Sequence, residues 1–205
     1  MPIAALLRCL GLFSLSGAAI AGNNFCNSSQ VTFNDNGVAD VYPSAINVVG
    51  APGNITTLTV TINSFSHSFP DDVGFVLVGP GGQALLLQSG AGDSAGVSEQ
   101  TYTFDDAAAA TLPDLAAWSG GTYKPTNFYL ANDNYPAPGP LTTYSNPGPG
   151  GAGTATLASV FAGTSANGTW NLFAADFASG DTGDFAGWCI AFTGVPVSLQ
   201  SFSVD

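Results

Sequence analysis

The sequence predicts an all-β fold, a two-sheet antiparallel β-sandwich of about eight or nine short strands with one long irregular loop, on three observations. Apolar and polar residues alternate with period two over several short segments. The 26 Gly and 13 Pro residues are spread between those segments rather than gathered into one tract, as the turns of a β fold require. No stretch shows a convincing amphipathic helical period.

Taken in order, residues 55–65 (ITTLTVTINSF) place Leu58, Val60 and Ile62 on one side and Thr57, Thr59 and Thr61 on the other, the mark of a half-buried strand. VGFVLVG (73–79) and QALLLQS (83–89) flank a Gly-Pro-Gly-Gly turn and predict a hairpin. SEQTYTF (98–104) follows as another strand. GTWNLFAAD alternates through Trp170, Leu172 and Ala174, and FAGWCIAF through Ala186, Trp188, Ile190 and Phe192. Weaker strand candidates lie at 30–33, 45–49 and 154–161. Leu58, Val60, Trp170 and Trp188 are the expected inward-facing residues. Between Asp105 and Gly153 the alternation dissolves, which marks a functional loop. Ala107–Leu112 is expected to form a short helical turn. The loop aromatics, among them Trp118, Tyr123, Phe128, Tyr129, Tyr135 and Tyr144, either pack back on the sandwich or form a sugar-stacking platform.

A chain of 205 residues, 45% hydrophobic, is long enough for one domain with a real core. Fourteen acidic residues stand against two basic ones, so nucleic acid is excluded as a natural partner. Residues 1–21 (MPIAALLRCLGLFSLSGAAIA) have a positive charge at Arg8, an apolar stretch and small residues at Ala19 and Ala21, and predict a signal peptide cut after Ala21. The expected organisation is a signal peptide at 1–21, a β-sandwich domain at 22–194, and a tail or edge strand at 195–205. No transmembrane segment is expected in the mature chain, whose location would be secreted, periplasmic or on the cell surface. Cleavage takes the formal net charge from −12 to −13 by removing Arg8, and leaves Lys124 as the one Lys or Arg. Cleavage also removes Cys9. The two remaining cysteines, Cys26 and Cys189, are expected to pair as a disulfide in an oxidising compartment.

Three kinds of site present themselves. Gly163-Thr164-Ser165-Ala166 matches a serine-nucleophile motif, but a serine needs a base and an orienting acid. The single histidine, His67, lies in HSFPDD without a glycine-rich setting, so GTSANG reads as a turn and His67 as a structural residue. No second histidine or nearby cysteine completes a zinc set. The acidic clusters Asp71-Asp72, Asp105-Asp106, and Asp176 with Asp181 and Asp184, are the calcium candidates, because Asp in Gly-rich loops supplies carboxylate and carbonyl oxygens together. Asp71, Asp72, Asp105, Asp106, Asp176 and Asp181 are the metal-ligand candidates. Their competing role is capping turns. In SGDTGDF, Gly180 and Gly183 are expected to permit special backbone angles, and Asp181 to bond the freed amides.

These landmarks occur in a fixed order: HSFPDDVGFVLVGPGG, TFDDAA, GTYKPTNF, SVFAGTSANGTWNLFAAD and SGDTGDFAGWCIAF. Together they resemble the P domain (P/Homo B domain) of the proprotein convertases in its bacterial secreted variety, from about Cys26 to Gly194. Asp72, Pro80, Gly82, Gly168, Thr169, Trp170, Gly180, Asp181, Gly183 and Trp188 occupy the positions of that pattern. The resemblance implies a jelly-roll sandwich of the galactose-binding-like type without catalytic residues of its own. In convertases such a domain packs on a subtilisin-like protease domain and supports its folding, stability, and calcium or pH dependence. Without a protease domain, the expected role is a non-enzymatic one, binding, adhering to or stabilising extracellular or cell-surface proteins. The alternatives are a calcium-dependent carbohydrate-binding module and a stand-alone relative of the domain that assists subtilisin-like serine endopeptidases.

Overall fold

The computed structural model describes residues 23–51, 53–129, 131–151 and 153–194. The expected signal peptide and C-terminal tail lie outside the described residues. The described chain forms two sheets that face each other over a shared hydrophobic core, an all-β sandwich.

The strands are β1 (Asn23–Asn27), β2 (Val31–Thr32), β3 (Ser44–Val48), β4 (Ile55–His67), β5 (Val73–Val78), β6 (Ala84–Ser89), β7 (Val97–Phe104), β8 (Gly121–Tyr123), β9 (Thr126–Asn127), β10 (Gly168–Asp176), β11 (Gly183–Phe185) and β12 (Trp188–Gly194). A short helix, α1 (Leu157–Phe161), precedes β10. The seven-stranded sheet is built around β4, which pairs with β12 and then β11 along one edge and with β7 along the other. β1 extends it beyond β12, β2 beyond β11 and β8 beyond β7. The second sheet has the order β3-β10-β5-β6-β9.

The alternation in β4, β10 and β12 points Leu58, Val60, Ile62, Trp170, Leu172, Ala174, Trp188, Ile190 and Phe192 into the core, as the period-two pattern predicts. Trp170 and Trp188 are fully buried, and their indole N–H groups donate to Ala166 O and Ser44 Oγ. β5 and β6 are apolar without alternation because they are covered on both faces. Outside the sandwich, Val76, Leu86, Phe173 and Tyr135 form a second cluster covered by Tyr42, Tyr144 and Phe177. Part of the long segment after Asp105 thus acts as a third layer.

Cys26 and Cys189 are bonded and sit opposite each other in register between β1 and β12. The bond joins residues 163 positions apart, for which the chain-entropy account gives about 5 kcal/mol as an upper figure. A disulfide of this kind belongs to an oxidising environment rather than the cytosol. Among the described residues no helix is long and apolar enough to cross a membrane.

Several expectations need correction. Twelve strands are present among the described residues rather than eight or nine, because short edge strands carry too few residues to show a period. The segment 105–153 is not wholly irregular: β8 and β9 pair parallel with β7 and β6, so the sandwich is not purely antiparallel. Residues 154–161 hold α1 instead of a strand. Leu157 and Phe161 are four apart, a spacing that puts two side chains on one face of a strand or of a helix alike. Thr156 decides for the helix: its hydroxyl accepts from Ser159 N–H, and Ser159 Oγ accepts from Thr156 N–H. The expected helical turn at Ala107–Leu112 is a tight turn at Asp105–Ala108, closed by Ala108 N–H to Asp105 O, followed by an extended bridge from Thr111 to Lys124. Ala186 faces outward, since Gly187 at φ +112° kinks the chain between β11 and β12 and resets the alternation. A side chain at Gly187 would run into the Asn27 carbonyl.

Candidate functional site at the acidic end

One end of the sandwich gathers Asp71, Asp72, Asp176 and Asp181 about the single histidine. β4 ends at His67, a 3-10 turn over Pro70–Asp72 leads into β5, and β10 ends at Asp176 opposite Val73. β11 returns alongside, with Gly183 paired to His67. A side chain at Gly183 would strike the Ser66 carbonyl and the imidazole, so glycine is required there by close approach and not by a left-handed angle. Gly180, by contrast, does take φ +115°.

His67 is 2% exposed and Asp176 1%. His67 Nδ1 lies 2.9 Å from Phe69 O, and Nε2 lies 3.3 Å from Asp176 Oδ2. The other carboxylate oxygen of Asp176 accepts the Ala178 N–H. Burial raises the Asp176 carboxyl above the ordinary carboxylate range, while the Ala178 bond and His67 act against it. The Asp72 carboxyl is pushed up to about 6, first by burial and then by Asp176, Asp71 and Asp181, with His67 opposing. Tyr129 O–H donates to the Asp71 carboxylate, and burial with that bond raises the phenol. Burial raises Asp133 as well, partly offset by the Ser89 hydroxyl it accepts.

The sequence candidates therefore divide. Asp71, Asp72, Asp176 and Asp181 share one neighbourhood. Asp105 and Asp106 lie elsewhere as backbone caps: Asp105 accepts the Ala107 N–H, and the two Asp106 oxygens accept the Leu157 and Ala158 N–H groups at the start of α1. Asp184 accepts from Gln30 Nε2. Asp181 accepts from Ser68 Oγ, whereas the Gly180 N–H it was expected to bond is capped by Asp35. Asp35, 145 residues away, could not be found from local sequence. Among the described residues, no group of three or more His, Cys, Asp or Glu side chains is arranged to hold a metal ion.

Ser165 and His67 cannot work as nucleophile and base. Ser165 sits in the turn before Gly168, where its Oγ accepts the Asn167 N–H, and His67 lies against Asp176 at the far end of β10. Eight strand steps of about 3.3 Å put roughly 26 Å between the two ends. The aromatic platform also dissolves as a single surface: Trp118 and Tyr135 are buried in the packing, while Tyr129 and Tyr144 stay half-buried.

No family model matches the chain, and no curated protein matches it. A solved structure, the complex of Aeromonas sobria serine protease and its chaperone, aligns with 87% of this chain at 16% identity and a TM-score of 0.44. The alignment takes in 27% of that chain, so this chain spans about a quarter of its length.

Proposed function

We propose that this chain is a non-catalytic, exported module of the P-domain kind that docks on another extracellular protein and steadies it. The observation that carries the reading is the gathering of Asp71, Asp72, Asp176 and Asp181, from separate segments, around one buried His67. Asp176 is buried, but Asp71, Asp72 and Asp181 stay partly exposed beside it, and such crowded like charges form a surface that a basic protein face relieves on contact. The one histidine is enclosed within the structure, which leaves it poorly placed as a base for an outside substrate. The ordered motifs of the P-domain resemblance support the reading: Trp170 and Trp188 fill the core, Gly183 packs on His67, and Pro80 and Gly82 turn the β5–β6 hairpin.

Calcium enters this proposal as a counter-ion of the acidic end, since Asp71, Asp176 and Asp181 each already accept a hydrogen bond. Immobilised protein should recover a protein partner from the secretome of its source, and about 0.5 M salt should release it. Recovery of no protein would overturn the docking reading. Melting with calcium and with chelator tests the ion separately: a ligand of the native state at a hundred times its dissociation constant adds about 2.7 kcal/mol. An unchanged midpoint would remove calcium and leave docking intact.

A further inference from the structure

A groove that adjoins the acidic end through Tyr129 has no charged described residue lining its two larger cavities, although the protein as a whole is strongly acidic. It begins as a cavity of about 560 Å³ with the Tyr129 ring and the side chains of Asn127, Asn132 and Asn146 in its lining. A cavity of about 650 Å³, lined by Tyr144 and Thr142, adjoins it through the shared residues Ser145 and Ser159. No described residue lining either cavity is charged. A third cavity of about 320 Å³ continues the groove through Thr154 and Ala155 and ends at Asp106 and Lys124, of which Asp106 is tied to the start of α1.

The polar side chains in the first cavity are held in place before any ligand arrives. Asn127 Nδ2 donates to Asn146 Oδ1, Asn146 Nδ2 donates to Asn132 Oδ1, and Asn132 Nδ2 donates to Thr142 O. The Asn127 Oδ1 accepts the Tyr129 N–H, which fixes the turn that presents the ring. Each side-chain amide keeps a donor or acceptor free after these bonds. Glycines 150, 151 and 153 also line it, and at Gly150 and Gly153 a side chain would strike the Phe128 and Pro147 backbone, so glycine there lets the lining segments approach closely.

We propose that this groove binds a neutral saccharide chain. Fixed amides and hydroxyls match a ligand whose surface is hydroxyl donors and acceptors, and Tyr129 and Tyr144 offer ring surface to the apolar faces of pyranose rings. Absence of charge favours a neutral ligand, because an anionic chain would have to approach a protein of net charge −12. The elongated shape suits a chain of several sugar units over a single one. The groove meets the acidic end at Tyr129, whose O–H donates to the Asp71 carboxylate, but its proposed ligand does not depend on the docking reading.

Calorimetric titration of the full, disulfide-bonded chain with cellohexaose, laminarihexaose and mannohexaose tests the proposal, with a hexameric oligogalacturonate and a Gly/Ser/Thr-rich decapeptide as competitors. At least one neutral hexasaccharide should bind with a Kd of about 10 μM to 1 mM. That Kd should hold when NaCl rises from about 0.05 to about 0.5 M, which shortens the screening length several-fold. Tyr129→Ala should weaken it about tenfold or more, equivalent to about 1.4 kcal/mol, while Tyr129→Phe, which loses only the bond to Asp71, should stay within about threefold. Ser145→Glu should abolish binding with the fold intact, because Ser145 pairs with Ala84 and Leu86 through its backbone alone. Failure of all three neutral chains at about 5 mM overturns the proposal on the affinity scale a small-ligand site needs. Preference for the decapeptide, salt-sensitive binding of oligogalacturonate alone, or undiminished binding by Tyr129→Ala or Ser145→Glu would overturn it equally.

Discussion

The acidic end and the neighbouring groove are both built from strand ends and the loops that follow them, yet they hold their polar groups in opposite ways. At the acidic end, burial first and then the neighbouring carboxylates raise the Asp72 carboxyl well above the ordinary value, beside a buried His67–Asp176 pair. In the groove, three side-chain amides satisfy one another in series and no described lining residue of the two larger cavities is charged. Burial makes charge costly and leaves a matched amide network nearly neutral in energy. The first arrangement stores repulsion that an outside group can relieve. The second stores order, ready for a ligand with no charge to offer.

Substitutions of decreasing severity sharpen this contrast. Asp176→Ala should cost most, about 3 kcal/mol, because it strips a buried partner from His67 and leaves the Ala178 amide unbonded. Urea unfolding measures it, and a loss under about 1 kcal/mol would mean that the pair is not the keystone of the acidic end. Asp106→Ala removes the carboxylate that accepts two amides at the start of α1, beside the groove, and should cost about 1 to 2 kcal/mol by the same measurement.

Asp72→Asn should act in the opposite direction. The folded value of about 6 lies above the ordinary 3.8, so the native state binds this proton more tightly than the unfolded chain does. Its favourable contribution is complete below about pH 4 and is lost as the pH rises through about 6. The substitution should therefore stabilise at pH 7 by about 0.5 kcal/mol once solvent screening is allowed for, and flatten the dependence of Tm on pH between about 4 and 6. A destabilised variant would show that Asp72 is satisfied rather than strained. Asp181→Ala should change least, within about 0.5 kcal/mol, since it loses one exposed bond to Ser68 and removes a like charge facing Asp72. Thermal melts at low salt resolve that balance, and a loss above about 1 kcal/mol would restore the turn-capping role that the sequence suggested.

The sandwich was legible because β4, β10 and β12 each repeat the apolar position with period two, and the Gly-Pro-Gly-Gly turn between two apolar runs marked β5 and β6 as a hairpin; that both runs are covered on both faces only the structure shows. The error at 154–161 has a definite cause: Leu157 and Phe161 satisfy both periods, and only the reciprocal Thr156–Ser159 bonds separate them. Asp105 and Asp106 look no different from Asp71 and Asp72 as adjacent acidic pairs. One pair caps local amides while the other meets distant carboxylates, and that distinction lies in pairing register.

By itself, then, the sequence determined the strand periods, the inward Trp170 and Trp188, the excess of negative charge and the pairing of its two cysteines beyond the predicted leader, all of which follow from residue type and spacing along one segment. Tertiary structure alone decided that Asp176 meets His67, that Asp35 caps Gly180, and that Asn127, Asn132 and Asn146 close into one network beside Tyr129. The reason is physical: periodicity is a property of neighbouring bonds, whereas the field at a carboxylate or the lining of a groove depends on which remote segments the fold brings within a few ångströms.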